Sequence, residues 1–128
     1  YLETLARLNV IFIDFIKSKE DLVEIISKCK FFVLPSTYEA MSMILLEVAS
    51  LKKGIVCSDI LENREAIGEN AIFFKSGDSD RLAEKIRFAL DNEEEMNNFG
   101  QKAFNWIKKN RNWERITQSY IDLYKTLL

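Results

Sequence analysis

Four short apolar runs constrain this chain more than any other feature: VIFIDFI (residues 10–16), FFVL (31–34), GIVC (54–57) and AIFF (71–74). They are rich in β-branched and aromatic residues, as strands buried on both faces are. Between and after them the apolar residues follow a helical period. Leu22, Ile25, Ile26 and Cys29 form one stripe, Ile44, Leu45, Val48 and Leu51 a second, and Leu82, Ile86, Ala89 and Leu90 a third. Ser18 three residues before Asp21, Asp78 after Gly77, and Asn112 carry the side-chain chemistry of helix starts. Neighbouring parallel strands need a crossover, and a helix supplies it. The pattern therefore predicts an α/β fold: a Rossmann-like parallel sheet of about four strands with flanking helices. Beyond residue 91 the strand-like runs stop. Met96, Phe99, Ala103 and Trp106 predict one helix, and Trp113, Ile116, Tyr120, Leu123, Tyr124 and Leu127 a last one. This helical tail (93–128) is expected to pack on the sheet or to reach another domain, with its aromatic residues serving as core.

Composition narrows the function classes. A chain of 128 residues supports one domain with a modest core, taken here as 1–128. A net charge of −2 with no basic patch argues against nucleic acid as partner. The apolar runs are far shorter than a membrane span. The opening YLETLARLNV has no charged-then-apolar leader. A cytoplasmic location is expected, with a peripheral position at the inner face of the membrane as the alternative. The absence of an initial Met suggests part of a longer chain. With no histidine, Ser-His-Asp and Cys-His catalysis are excluded within these residues, and the commonest zinc ligand is missing. Cys29 and Cys57 form no CxxC pair and read as reduced thiols in apolar segments. Chemistry must come from carboxylates, hydroxyls, Lys, Arg or backbone groups.

The stretch LPSTYEAMSMILLEVAS (34–50) gathers such groups at one place. Pro35 cannot donate to a sheet ladder and marks a strand end. A helix is expected to open near residues 40–42, where its first N–H groups lack partners within the helix and favour an anion, phosphate in particular. Glu39 lies just before that terminus and Glu47 two turns into the helix. Ligands of open parallel sheets bind beyond the C-terminal ends of the strands, which is where this turn lies. Two carboxylates there could accept hydrogen bonds from sugar hydroxyls while helix N–H groups hold phosphate between them. The plain alternative is that Glu39 complements the helix terminus electrostatically and that Glu47 is a helical acid reaching solvent or a cation. The Glu-x7-Glu spacing alone decides nothing.

FFVLPSTYEAMSMILLEVAS resembles the donor-site signature of family-four retaining glycosyltransferases of the GT-B fold. That signature is a strand, Pro-Ser, a turn, Glu, a small-aromatic-small triplet, and a second Glu eight positions after the first. IVCSDILENREAIGENAIFFKSGDSDRLAEKI, NWERITQSYIDLYKTLL and LARLNVIFIDFI are similar to the family's next strands, closing helix and an earlier helix–strand unit. The resemblance implies the C-terminal, donor-binding domain of such an enzyme. Glu39 would accept hydrogen bonds from the donor sugar and sit near the reacting anomeric centre, as the catalytic residue. Ser36 and the backbone N–H groups of Ala40, Met41, Ser42 and Met43 would face sugar and diphosphate. Glu47 would bind the ribose hydroxyls, and the turn at Ile16 would contact the base. The implied substrates are a nucleotide-diphosphate sugar and a glycan or lipid-linked sugar as acceptor. The implied partner is an N-terminal acceptor domain of the same enzyme, and no metal or other cofactor is expected.

Departures from the family pattern motivate a second reading. Ala40, Met41 and Ser42 stand where Gly, an aromatic and Gly are frequent. Lys52 and Gly54 replace a usual Gly and Pro, and Leu61 and Glu62 replace a Gly pair. Two further strands of the family's domain and its basic Arg–Lys pair, which the family places ahead of these elements, are not recognised among these 128 residues. In the strand order 3-2-1-4-5-6 those strands would separate residues 10–16 from residues 31–34. Either the chain belongs to a longer enzyme or its strands pair differently, and exposed sheet edges offer a route to oligomers. The alternative function is a non-catalytic nucleotide-binding or interaction domain on the same scaffold. A signalling receiver is disfavoured, because Asp14 and Asp59 are too isolated to form its acidic cluster.

Overall fold

The computed structural model describes residues 10–127. The expectations placed on residues 1–9, including the helical half of the LARLNVIFIDFI unit, lie outside the described residues. Helix α1 (Lys19–Lys28) is followed by β1 (Phe31–Leu34), α2 (Met43–Ser50), β2 (Gly54–Ser58), α3 (Leu61–Ile67) and β3 (Ile72–Phe74). Three helices close the chain: α4 (Ser79–Asp91), α5 (Glu93–Asn110) and α6 (Trp113–Leu127). The fold is α/β, with a parallel sheet of order β1-β2-β3 and helices on its faces.

Three local signals act as the sequence predicts. The amide of Asp21 donates to Ser18 Oγ at 3.2 Å, that of Arg81 to Asp78 Oδ1 at 3.0 Å, and that of Arg115 to Asn112 Oδ1 at 2.8 Å. Each cap gives a partner to an N–H that the first helical turn leaves open.

β2 lies between its two neighbours, with Phe31 opposite Gly54 and Ser58 opposite Phe74. All five of its residues are buried. Its side chains alternate between two apolar clusters, as the period of a strand requires. Ile55 and Cys57 meet Leu45, Val48, Ile67 and Ala103 on one face. Val56 meets Ile72, Phe74, Ala89 and Met96 on the other. Helix α5 contributes to both clusters because it passes the N-terminal end of β2. A Cβ added at Gly54 would meet the Met96 carbonyl at 2.6 Å, and one at Gly100 would meet the Lys52 carbonyl at 2.1 Å. Only glycine permits these approaches. Lys52 itself, just after α2, has φ of 57°, the left-handed region where glycine is favoured. With α5 closing that end of the sheet, the C-terminal strand ends are left for a site.

The expected strand at residues 10–16 does not form. The segment is irregular, and Ile11 and Phe15 are 85% and 77% exposed. The sheet therefore has three strands among the described residues, and they are contiguous. The physical reason is the lack of a neighbour: a strand needs a ladder to satisfy its backbone groups, and among the described residues none pairs with residues 10–16. The last helix also departs from expectation. The α5 stripe packs, with Met96 and Ala103 buried, but α6 buries no residue, and Trp113, Tyr124 and Leu127 are mostly exposed. Its aromatic residues are not core among the described residues. A short helix that periodicity did not reveal, α3, covers the sheet beside α2.

Candidate functional site

β1 ends at Leu34, Pro35 breaks the ladder, and the chain turns through Ser36–Thr37–Tyr38–Glu39 into α2. Ser36 Oγ donates to Glu39 Oε1 at 2.6 Å, which folds the half-buried carboxylate back over the strand end. Beneath it a chain of buried hydrogen bonds ties three elements together. Ser42 Oγ donates to Asn63 Oδ1 at 2.5 Å, and Asn63 Nδ2 donates to the Ser58 carbonyl at 2.9 Å and to Ser58 Oγ at 3.1 Å. Ser58 Oγ in turn donates to the Ser36 carbonyl at 2.5 Å. Ser42, Ser58 and Asn63 are each at most 1% exposed. Among the described residues no buried side-chain polar atom lacks a partner. A satisfied buried network of this kind fixes one geometry, since any slip strands a polar group away from water.

The start of α2 differs in detail from the sequence reading. The helix begins at Met43 with Ser42 at the N-cap, but the Ser42 hydroxyl makes no cap bond, being given to Asn63. It is therefore not free for phosphate. The Met43 amide donates to the Met41 carbonyl at 2.8 Å and the Leu45 amide to the Ser42 carbonyl at 3.0 Å, so the terminus is less open than expected. Ala40 and Met41 are exposed and line a cleft of about 160 Å³ with Glu62, Glu65, Ala66 and Arg111. An anion in this cleft faces two carboxylates and one guanidinium. Met43 is exposed beside it. A second cleft of about 180 Å³ lies on the other side of the turn, between Pro35, Thr37 and the start of α4 at Gly77–Ser79.

Glu47 is half-buried and pairs with Lys19 Nζ at 3.4 Å, which ties α2 to the start of α1. Ile16, three residues before Lys19, lines a separate groove with Asp21, Glu24 and Ile25. The structure thus brings Ser36 and Glu39 into contact and gathers Ala40 and Met41 at one cleft. It does not bring Glu47 or Ile16 to that cleft: Glu47 pairs with Lys19, and Ile16 lies in a groove against α1.

At the end of β2, Arg64 Nε donates to Asp59 Oδ1 and a terminal nitrogen to Glu69 Oε1, both at 2.5 Å. The guanidinium lies 4.3 Å from the Phe73 ring centroid. Its hydrogen bond holds the Asp59 carboxyl below its ordinary value, and the two acids push Arg64 further up. Within β2, burial raises the Cys57 thiol to about 12. Cys29 and Cys57 are both free thiols.

The sequence reading missed Asn63 and Ser58 as the framework of the turn. The available signal was an Asn inside a short helix shortly after a strand-end Ser. Asn disfavours helix interiors, so its presence asks for a side-chain partner elsewhere.

A parallel sheet flanked by helices, with Glu39 in a strand-to-helix turn and Glu47 in the helix that follows, is a Rossmann-like arrangement. The solved structures of sucrose-phosphate synthase from Thermosynechococcus elongatus and of TarM share this fold. Each superposes with a TM-score of 0.73 at 22% identity, covering 84% and 86% of this chain and 28% and 22% of theirs. The sequence model described as glycosyl transferases group 1 matches residues 2–106, and the chain belongs to that family. The N,N'-diacetylbacillosaminyl-diphospho-undecaprenol alpha-1,3-N-acetylgalactosaminyltransferase of Campylobacter jejuni is 30% identical over 98% of this chain and 34% of its own length. The O-antigen chain mannosyltransferase B of Escherichia coli is 27% identical over 84% of this chain and 28% of its own length. The chain thus spans about a third of the curated relatives it matches. Among the described residues no helix is long and apolar enough to cross a membrane.

Proposed function

We propose that these residues form the donor-binding part of a retaining glycosyltransferase that moves a sugar from a nucleotide diphosphate to a glycan or lipid-linked acceptor. The observation that carries this reading is Glu39. It is half-buried, held by Ser36 just past the end of β1, and placed in the turn that leads into α2 on a frame locked by Asn63. Such a carboxylate accepts hydrogen bonds from sugar hydroxyls and stabilises positive charge developing at the anomeric carbon. The backbone of the exposed residues Ala40 and Met41 and the positive end of α2 would face the diphosphate. Glu47 would take the ribose hydroxyls by exchanging its solvent-facing Lys19 contact for them. Ile16 would reach the base from the α1 side. The names of the relatives, one acting on a diphospho-undecaprenol-linked sugar and one an O-antigen mannosyltransferase, support acceptors of the glycan or lipid-linked kind.

Activity in this reading needs an N-terminal acceptor domain and works without a metal, at the cytoplasmic face. The outer edge of β1 has no strand partner among the described residues and is where further strands of the enzyme, or a second copy, would pair. The test is Glu39→Gln in the intact enzyme, assayed with nucleotide-diphosphate sugars. Turnover should fall about a hundredfold with the melting temperature unchanged. Near-normal turnover refutes the role of Glu39.

Glu62 and Glu65 in the cleft beside Ala40 and Met41 favour a second reading, a nucleotide-binding or interaction domain without catalysis, because acids repel a diphosphate. Titration of the intact protein with UDP, GDP and ADP, paired with a transfer assay, separates the two. Absence of binding supports an interaction domain, and binding without transfer supports a nucleotide-binding domain without catalysis.

A further inference from the structure

Where α5 ends and α6 begins, a groove of about 400 Å³ has Trp106, Arg111, Arg115 and Tyr120 in its walls. Of its three cations, Arg111 and Arg115 are held by neutral groups. Arg111 donates to the Glu65 carbonyl, and its guanidinium lies 5.6 Å from the Trp106 ring centroid. Arg115 donates to Asn110 Oδ1 at 3.3 Å. Among the described residues neither has a carboxylate within ion-pair distance. Arg64, on the same wall, is by contrast committed to Asp59 and Glu69, and the acid facing the groove is Glu65.

A guanidinium anchored by one neutral contact keeps most of its five N–H donors for a ligand. Its planar fork suits phosphate oxygens bidentately. Trp106 and Tyr120 add flat apolar surface beside the charge, which suits a ligand with an organic part next to its anion. We propose that this groove is a second binding site, for a phosphate- or diphosphate-bearing ligand clamped by Arg111 and Arg115. The groove shares Glu65 and Arg111 with the smaller cleft that reaches Ala40 and Met41. Arg111 and Glu65 therefore stand between the groove and the cleft at the β1–α2 turn. The site stands on its own geometry and does not require that the turn bind a donor.

The protein has two tryptophans, and Trp113 is 81% exposed, so Trp113→Phe leaves Trp106 as the fluorescent reporter of the groove. Titration of that protein with inorganic diphosphate should give a saturable change in Trp106 emission. Replacing both arginines (Arg111→Gln with Arg115→Gln) should weaken it about tenfold or more. Arg115→Gln alone, at an exposed position, should shift it in the same direction by less, which guards against a folding defect in the double variant. Arg115 lines this groove and not the cleft at Ala40 and Met41, so the Arg115→Gln response reports this groove alone, and failure of the donor reading and failure of this site are separable. No saturable change in Trp106 emission, or one indifferent to the arginine substitutions, overturns the proposal. Flotation with phosphatidylcholine vesicles carrying a polyprenyl diphosphate distinguishes the source of the anion. Capture that the double variant loses identifies a lipid headgroup, and soluble diphosphate binding without capture identifies a free ligand.

Discussion

Residues 10–16 and β2 are written in the same alphabet and end in opposite states. VIFIDFI has, if anything, the stronger strand composition, yet it lies irregular with Ile11 and Phe15 in solvent, while GIVCS is buried throughout. The difference is company. β2 has a strand on each side, an apolar cluster on each face and α5 across its N-terminal end. Among the described residues the earlier segment has none of these. Strand propensity reports how a side chain fits a half-buried pleat, so without the pleat there is nothing for it to act on.

That contrast can be attacked from both sides. The largest effect is expected where α5 closes on the turn before β2. Gly100→Val would drive a side chain into the Lys52 backbone and should destabilise by about 3 kcal/mol in urea unfolding. Asn63→Leu comes next. It removes the acceptor of Ser42 and the donor to Ser58, and should cost about 2 kcal/mol in the same measurement. Alkaline pH tests β2 itself. The Cys57 thiol ionises near 9.0 when free and near 12 in the fold, so the folded state holds its proton longer. Its contribution to stability is complete below pH 9 and is lost as pH rises toward about 12. A thiol reagent at pH 8 should therefore label Cys29 well before Cys57. The smallest effect belongs to the exposed segment: Phe15→Ser should change stability by less than about 0.5 kcal/mol. A loss as large as that of Asn63→Leu would show that residues 10–16 are packed in solution and would dissolve the contrast.

The legible parts of the fold were those governed by local chemistry. Phe31–Leu34 is a strand residue for residue, and Ser18, Asp78 and Asn112 cap the helices they were expected to cap. The strand-to-helix turn at Glu39 was legible because Pro35 has no amide to give to a ladder. What escaped depended on groups far apart in sequence. Helix α3 spans seven residues and is too short to show a stripe. The destination of the Ser42 hydroxyl is Asn63, 21 residues away, and no spacing rule announces it. The state of α6 depends on what lies beside it: its stripe Trp113, Ile116, Tyr120, Leu123 reads as core, yet no described element covers it. Of the proposed donor residues, position along the chain was legible, whereas hydrogen-bond commitments, such as Glu47 to Lys19, were not.

The Ser42–Asn63–Ser58 chain also bears on how such a sequence changes over generations. Each member satisfies another out of reach of water, so none can be exchanged alone without leaving an orphan. The three positions are therefore energetically coupled: exchanging all of them for an apolar packing strands fewer polar groups than exchanging any one. Because the same chain ends on the Ser36 carbonyl, drift at a buried asparagine would register as altered aim of the carboxylate at the surface.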